Sequence, residues 1–314
     1  MSGERTWMLR AEAAHRDECI AFGRSAEALW PDSAAGVLTV GTGAAVFMGP
    51  GMYVNRAIGL GLEPCDPDSI DRASLEHAVA FGGQLDAVEE FYARLDVGPV
   101  LQTCEATDER LLRELTARGY VVESKRNVHI YDPDPVMTDA GPRDVTDPGA
   151  TDAGSTDTLG SAPSAPASSS AVSTHADELR IETVDDALFP VWRDVHGEGF
   201  VRDSTARRTN DRFCEAAHAV PTAEDFIAFW VDTPVAVASV ITKDGVAWLG
   251  GMATRPDFRG RGFQAALLRH RVARALAAGC DLVVTTTDPE SGSERNVLRA
   301  GFRFLMVNAT YARP

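Results

Sequence analysis

The chain has 314 residues, 44% of them hydrophobic, and a formal net charge of −16. That length and apolar content suit globular material, either two ordinary domains or one large one. A strongly negative field repels phosphate backbones, so no nucleic acid is expected as partner, and no apolar run of bilayer length occurs, so no membrane is expected.

In chain order, Arg10–Leu29 has helical spacing. Val37–Thr39 and Ala44–Met48 read as strands around Gly41 and Gly43, and Tyr53–Leu60 as a third. Leu85, Val88, Phe91, Tyr92 and Leu95 recur at three and four, which predicts a second helix. Pro99–Cys104 is strand-like, and Asp108–Arg118 is helical with Gly119 placed to end it. Val121–Tyr131 follows as a strand or bent strand pair. Pro133–Glu178 then has no aromatic residue, and carries eight acids against Arg143. Too poor in apolar surface to offset its ordering entropy, it is expected to be a disordered acidic linker.

Past that segment, Leu179–Val184 predicts a strand, and Ala187–His196 and Thr205–His218 predict helices. Strands follow at Asp225–Val231, Pro234–Thr242 and Val246–Thr254, with Asp244-Gly245 a strong hairpin signal because glycine tolerates positive φ. A helix is expected from about Gly262 to Ala278, a buried strand over Asp281–Thr287, a short helix over Ser291–Ala300 and a final strand pair over Phe302–Ala312. Both parts read as early helix, antiparallel meander, helix, strand, helix and last strand. The helix ends Arg118-Gly119-Tyr120 and Ala300-Gly301-Phe302 correspond, and imply a diverged duplication: 1–132, a linker over 133–178, and 179–314.

Five cysteines (Cys19, Cys65, Cys104, Cys214, Cys280) are scattered singly, which argues against a disulfide framework or zinc site. The charged start offers no secretory signal, so a reduced cytoplasm is expected. Lys125 and Lys243 are the only lysines. Such acidity fits a cell with molar internal salt, where a Debye length of about 3 Å screens self-repulsion.

Gly251-Met252-Ala253-Thr254-Arg255-Pro256-Asp257-Phe258-Arg259-Gly260-Arg261-Gly262-Phe263-Gln264 carries the chemistry. A strand stops at Arg255-Pro256, an Arg- and Gly-rich loop follows, and a long helix starts at once. Loop amides backed by a helix N-terminus form an anion site, with Arg255, Arg259 and Arg261 adding charge.

This segment resembles motif A of the GNAT acyltransferase superfamily, whose pyrophosphate loop reads [QR]-x-x-G-x-[GA]. Arg259 and Gly262 match, while Gln264 stands where Gly or Ala is usual. The resemblance covers about Ile181–Pro314 and implies an α+β fold: two GNAT-like lobes, each a mostly antiparallel twisted sheet flanked by helices. The amino-terminal lobe would be a degenerate copy, since Asn55-Arg56-Ala57-Ile58-Gly59-Leu60-Gly61-Leu62 is followed by Glu63 and Asp66 rather than by basic residues. Such a copy would cover the acceptor side of the cleft or form a pseudo-dimer interface.

The resemblance further implies acetyl-CoA as co-substrate, without metal, held by Met252, Ala253, Thr254, Arg259, Gly260, Arg261, Gly262, Phe263, Gln264 and Asn296. Leu249–Thr254 would part from Leu282–Thr287, and backbone N–H groups over Gly251–Ala253 would polarise the thioester carbonyl for direct attack by an amine. The tyrosine that many members place four residues before the Gly-Phe pair is here Val297. Tyr311, Ser291, Ser293 or a water are alternatives for the acid, and Glu198, Asp203, Asp288 and Glu290 for the base; Tyr311 and Glu198 are the leading pair. Cys280, His196 and His218 read as structural. Gly260-Arg261-Gly262-Phe263-Gln264-Ala265 also fits a dinucleotide fingerprint, but too little chain follows to complete that fold. The acceptor is an amine on a small molecule or peptide, and the chain a monomer or homodimer. A protein that binds acyl-CoA or a partner without turnover is the rival.

Overall fold

The computed structural model describes residues 2–62, 81–131, 179–200 and 203–314. The expected linker over 133–178, Glu63, Cys65 and Asp66 lie outside the described residues. Helix α1 spans Ser2–Leu29, longer at its start than the sequence pattern suggests. Strands β1 (Gly36–Val40), β2 (Gly43–Phe47) and β3 (Arg56–Ile58) form a meander, followed by α2 (Phe81–Ala93), β4 (Leu101–Cys104), α3 (Glu109–Ala117) and β5 (Val121–Tyr131). Then come β6 (Leu179–Thr183), α4 (Phe189–Phe200), α5 (Ser204–His218), β7 (Ala223–Trp230), β8 (Thr233–Lys243) and β9 (Val246–Thr254). The chain ends with α6 (Phe263–Ala277), β10 (Leu282–Thr287), α7 (Gly292–Arg299) and β11 (Phe302–Ala312).

Local chemistry sets many of these boundaries. Asp108 caps α3 by accepting from Arg110 N at 2.7 Å, and Gly119 closes it at φ +81°. Asp203 caps α5 through Thr205 N and Ala206 N, both at 2.9 Å. Between β8 and β9, Asp244 and Gly245 both take positive φ, as a two-residue hairpin turn requires.

All eleven strands form one sheet in the order β1-β2-β3-β4-β11-β5-β10-β9-β8-β7-β6. Each half repeats a plan: a meander, then a parallel step (β3 to β4, β9 to β10). The closing strands are exchanged. β11, from the carboxy-terminal half, lies against β4, while β5, from the amino-terminal half, lies against β10. The two then pair antiparallel along their length, from Phe302↔Tyr131 to Ala312↔Val121. Phe302–Ala312 is accordingly one strand with two register shifts, not the strand pair expected from sequence.

The cores are shared in the same way. One apolar cluster joins Cys19, Phe22 and Ala26 of α1 to Trp192, Phe213, Ile227 and Val237 of the other half. Another joins Leu9 and Ala11 to Trp248, Leu282 and Met306. Arg10 pairs with Asp281 at 2.8 and 2.5 Å, and Lys243 with Asp17 at 2.5 Å, across the same seam.

One further feature positions the site. Between the pairs Ser239↔Gly250 and Val237↔Ala253, Gly251 and Met252 of β9 together oppose the single residue Ala238 of β8, so β9 carries one extra residue and bulges there. Gly251 sits at φ +55°, and a Cβ on it would meet Ser239 Oγ at 2.7 Å. Arg271 of α6, almost fully buried, donates from Nη1 to the carbonyls of Ser239 and Gly250, each at 2.9 Å. Burial pulls its guanidinium down to about 9, still charged at neutral pH.

Two predictions follow from this packing. A fragment of residues 179–314 loses the strand that covers β10 and should not form a monomer with a cooperative melt, whereas the full chain should melt in one transition; size exclusion with circular dichroism reads both. Arg271→Met keeps volume but strands two carbonyls at about 1–3 kcal/mol each, offset by relief from burying an uncompensated charge. A net loss of about 2 kcal/mol is expected, read from the denaturant midpoint.

Candidate functional site

The parallel ladder between β9 and β10 runs from Val246↔Leu282 to Leu249↔Thr285 and stops. Thr285 Oγ1 closes it by donating to Leu249 O at 3.1 Å. Beyond, the bulge at Gly251 turns β9 aside, so backbone groups after Leu249 have no partner strand on the β10 side. A cavity of about 1550 Å³ opens at this parting, lined by Gly250–Thr254 on one wall and Thr285–Asp288 on the other. The expected splay is therefore present.

At its end stands the Arg- and Gly-rich loop. After the short turn Pro256–Phe258, Gly260 and Gly262 adopt φ of +77° and +84°, with open space where a Cβ would lie. Their need is conformational, since a side chain at positive φ is strained. Gly262 is the N-cap of α6 and offers no side-chain cap, which leaves the first amides of a fifteen-residue helix facing the cavity. Uncapped amides at the positive end of a helix dipole suit a polyanion.

The three arginines divide. Arg259 lines the cavity and donates to Gly199 O at 2.8 Å and to Thr254 O at 3.3 Å. Arg255 is tied to Glu198 (2.9 Å) and to Pro234 O (2.9 Å). Arg261 lies over the rings of Trp230 and Phe258, 5.1 and 5.2 Å from their centroids, and does not line the cavity, contrary to its expected role as a diphosphate cation. Gln264, at the position where the motif usually has a small residue, accepts from Asn296 Nδ2 at 2.7 Å and donates to Ser293 Oγ at 3.3 Å. This network joins the start of α6 to α7 at the cavity rim. Met252 and Asn296 also line the cavity, as do Ala253, Thr254 and Phe263.

The leading acid and base from sequence are not at the cavity. Tyr311 packs against the amino-terminal core, because β11 crosses to pair with β4 there. Glu198 is spent on Arg255. Of the alternatives, Asp203 lines the cavity but caps α5, and Ser291 lines it but caps α7. Asp288 lines it near Arg126, at 3.5 Å, while Glu290 does not reach it. Val297 is buried in the core.

The side chains read as structural are packed or bonded within the fold, although His196 also lines the cavity. Cys280 is buried, and burial pushes its thiol up. His196, packed against the Trp192 and Phe200 rings, bonds Asn210 at 3.0 Å and is driven down to about 4 by burial. His218 binds buried Asp225 at 2.6 Å and is raised chiefly by that bond. Among the described residues no cluster of His, Cys, Asp or Glu is arranged for a metal, and no helix is long and apolar enough to cross a membrane.

The amino-terminal half completes the cavity, which sequence reasoning reached only as a general expectation. Within the carboxy-terminal half, α4 crosses β9 so closely that a Cβ on Gly199 would meet Ala253 Cβ at 2.6 Å. From the other side α1 brings His15, stacked on Trp248 at 4.3 Å, and buried Glu18; Tyr53 and Arg56 stand beside them. The corresponding glycines of the amino-terminal half, Gly59 and Gly61, have positive φ but are packed by Arg16, Leu111 and Thr107.

Residues 183–302 match the model of the Acetyltransferase (GNAT) family. A GCN5-related N-acetyltransferase from Kribbella flavida has a similar structure, with a TM-score of 0.56 at 15% identity over 93% of this chain and 95% of that one. A functionally unknown conserved protein from Staphylococcus epidermidis superposes with a TM-score of 0.51 at 13% identity, over 88% and 92%. No curated protein matches in sequence. These structural likenesses carry the fold over nearly the whole chain, and the family match falls on the half that holds the parted strands and the uncapped helix. Residues 183–302, which hold the parted strands and the uncapped helix, are thus the part of the chain that is similar to the GNAT acetyltransferases.

Proposed function

We propose that the protein moves an acetyl group from acetyl-CoA to an amine by direct attack. The observation that carries this reading is the parting of β9 from β10 beside an uncapped helix N-terminus, within one cavity of about 1550 Å³. The amides from Gly260 to Gln264 would take the diphosphate, with Arg259 turning from Gly199 O and Thr254 O to a phosphate oxygen. Charge assistance makes that exchange favourable, since a guanidinium binds phosphate more strongly than a neutral carbonyl. Backbone groups on the open, β10-facing edge of β9 over Met252–Thr254 would hold the pantetheine arm as an added strand, and an N–H from this stretch would polarise the thioester carbonyl. Asn296 and Gln264 border the arm. Arg261 would contribute its backbone amide, its side chain being occupied by Trp230.

In this reading 179–314 is the transferase domain, 133–178 a linker, and 1–132 a half that closes the cavity. The acceptor is an amine on a small molecule or peptide, and the aromatic faces of Tyr53 and Phe200, both exposed and lining the cavity, favour an apolar or aromatic body. A cytoplasmic location and a monomer or homodimer complete the proposal.

Arg259→Ala should weaken acetyl-CoA binding roughly tenfold or more. Gly262→Asp, which puts a strained side chain and a negative charge at the cap, should weaken it further. Calorimetry with circular dichroism as a folding control tests both; full affinity in two folded variants refutes the site. Release of free thiol from acetyl-CoA with an amine panel separates an enzyme from a protein that only binds.

A further inference from the structure

The acid and base foreseen from the carboxy-terminal half are occupied elsewhere, yet the cavity holds one carboxyl to which no described residue is bonded. Glu18 of α1 is only 8% exposed, lines the cavity, and has no hydrogen-bond partner among the described residues. Its Oε1 stands 3.8 Å from the point where a Cβ on Gly250 would lie. That is the face of β9 where the ladder to β10 has just ended. The neighbouring Glu12 differs: Gln102 and Asn308 each donate to it at 3.0 Å, and it does not line the cavity. One carboxyl is built into the seam; the other is left facing the open wedge.

We infer that Glu18, supplied by the amino-terminal half, is the base that takes the proton from the acceptor amine at the β9 wedge. The inference rests on the transferase reading above. An acceptor enters as an ammonium ion, for which an unpaired buried carboxylate is the complementary group. Glu18 accepts one N–H proton, and the freed lone pair forms the N–C bond to the thioester carbon. The C–S bond breaks with its electron pair on sulfur. The second nitrogen proton goes to that sulfur, which yields amide and free thiol, and Glu18 returns its proton to solvent.

The surroundings tune the group for this work. Burial pushes the Glu18 carboxyl up to about 8, opposed only by the Arg56 guanidinium of β3. Cys19 and Glu12 of its own helix, His15, and Tyr53 before β3 complete the titratable set on that side. His15 is held down, chiefly by burial, so it stays neutral near pH 7. From β5 comes Arg126, and behind β9 Arg271 is engaged with the Gly250 carbonyl. A carboxyl titrating near neutrality is matched to general-base work at ordinary pH.

The test uses the full chain, acetyl-CoA, and 2-phenylethylamine and hydroxylamine as probe acceptors. Wild-type kcat should climb about tenfold per unit up to about pH 8 and then level. Glu18→Gln should lower kcat at least roughly a hundredfold and abolish that limb, with acetyl-CoA affinity unchanged. Stability supplies a second readout. Folded Glu18 keeps its proton up to about pH 8 while the unfolded chain releases it near the ordinary value of 4.5, so wild-type stability falls between those values. Glu18→Gln should therefore melt higher than wild type at pH 8 and lose that advantage below about pH 4. Wild-type turnover with an unaltered rate and pH limb in Glu18→Gln overturns the assignment alone. Absence of turnover by the wild type with every amine, despite binding acetyl-CoA, removes the transferase reading and this role with it.

Discussion

The arrangement depends on a parallel pair of strands that is prevented from continuing. β9 and β10 are bonded for four residue pairs, and the bulge at Gly251 then turns β9 away. Left to backbone hydrogen bonding alone, the two would zip onward, because unpaired amide and carbonyl groups away from water are costly. Arg271 offsets that tendency by donating to the carbonyls on either side of the bulge, at Ser239 and Gly250. Its planar, permanently charged fork serves two acceptors at once, which a lysine point charge does less well. The same residue is rooted in α6, the helix whose uncapped start faces the cavity. The wedge and the uncapped helix start are thus both set by α6.

The exchanged closing strands explain how a half without a usable loop of its own still shapes the cavity. With β5 inserted beside β10 and β11 carried over to β4, neither half has a finished sheet by itself. The seam fixes α1 over both, through shared apolar clusters and the buried Glu12 network. α1 can then place side chains at β9 with the precision of a packed helix rather than a mobile loop.

Much of this was legible in the sequence, for local reasons. The Asp244-Gly245 turn, the Asp108 cap and the glycine ends of α3 and α7 are decided by φ preferences and nearby donors, and the loop from Arg255 to Gln264 announces its strand-to-helix geometry directly. What escaped depends on tertiary placement. β5 and β11 look like ordinary closing strands, and nothing in their own residues states which half each will pair with. Tyr311 drew notice as the last tyrosine near the fold's end, but the exchange carries it to the far core. Arg261 counts as a cation in the sequence, while Trp230, thirty-one positions away, decides where it points. Glu18 is one acid among several on an amphipathic helix, and only packing against β9 distinguishes it. Had an acid placed four residues from the Phe22 core position been weighed as inward-facing, it could have been found.

The central claim is that free backbone groups of β9 and the start of α6 receive one extended ligand together. Hydrogen exchange on the full chain, with and without acetyl-CoA, examines both stretches at once. The account predicts slowed exchange at amides within Gly251–Thr254 and Gly260–Ala265, with the β1–β2 hairpin unchanged. Saturating binding that protects neither stretch, or only one distant from the parted strands, would contradict it.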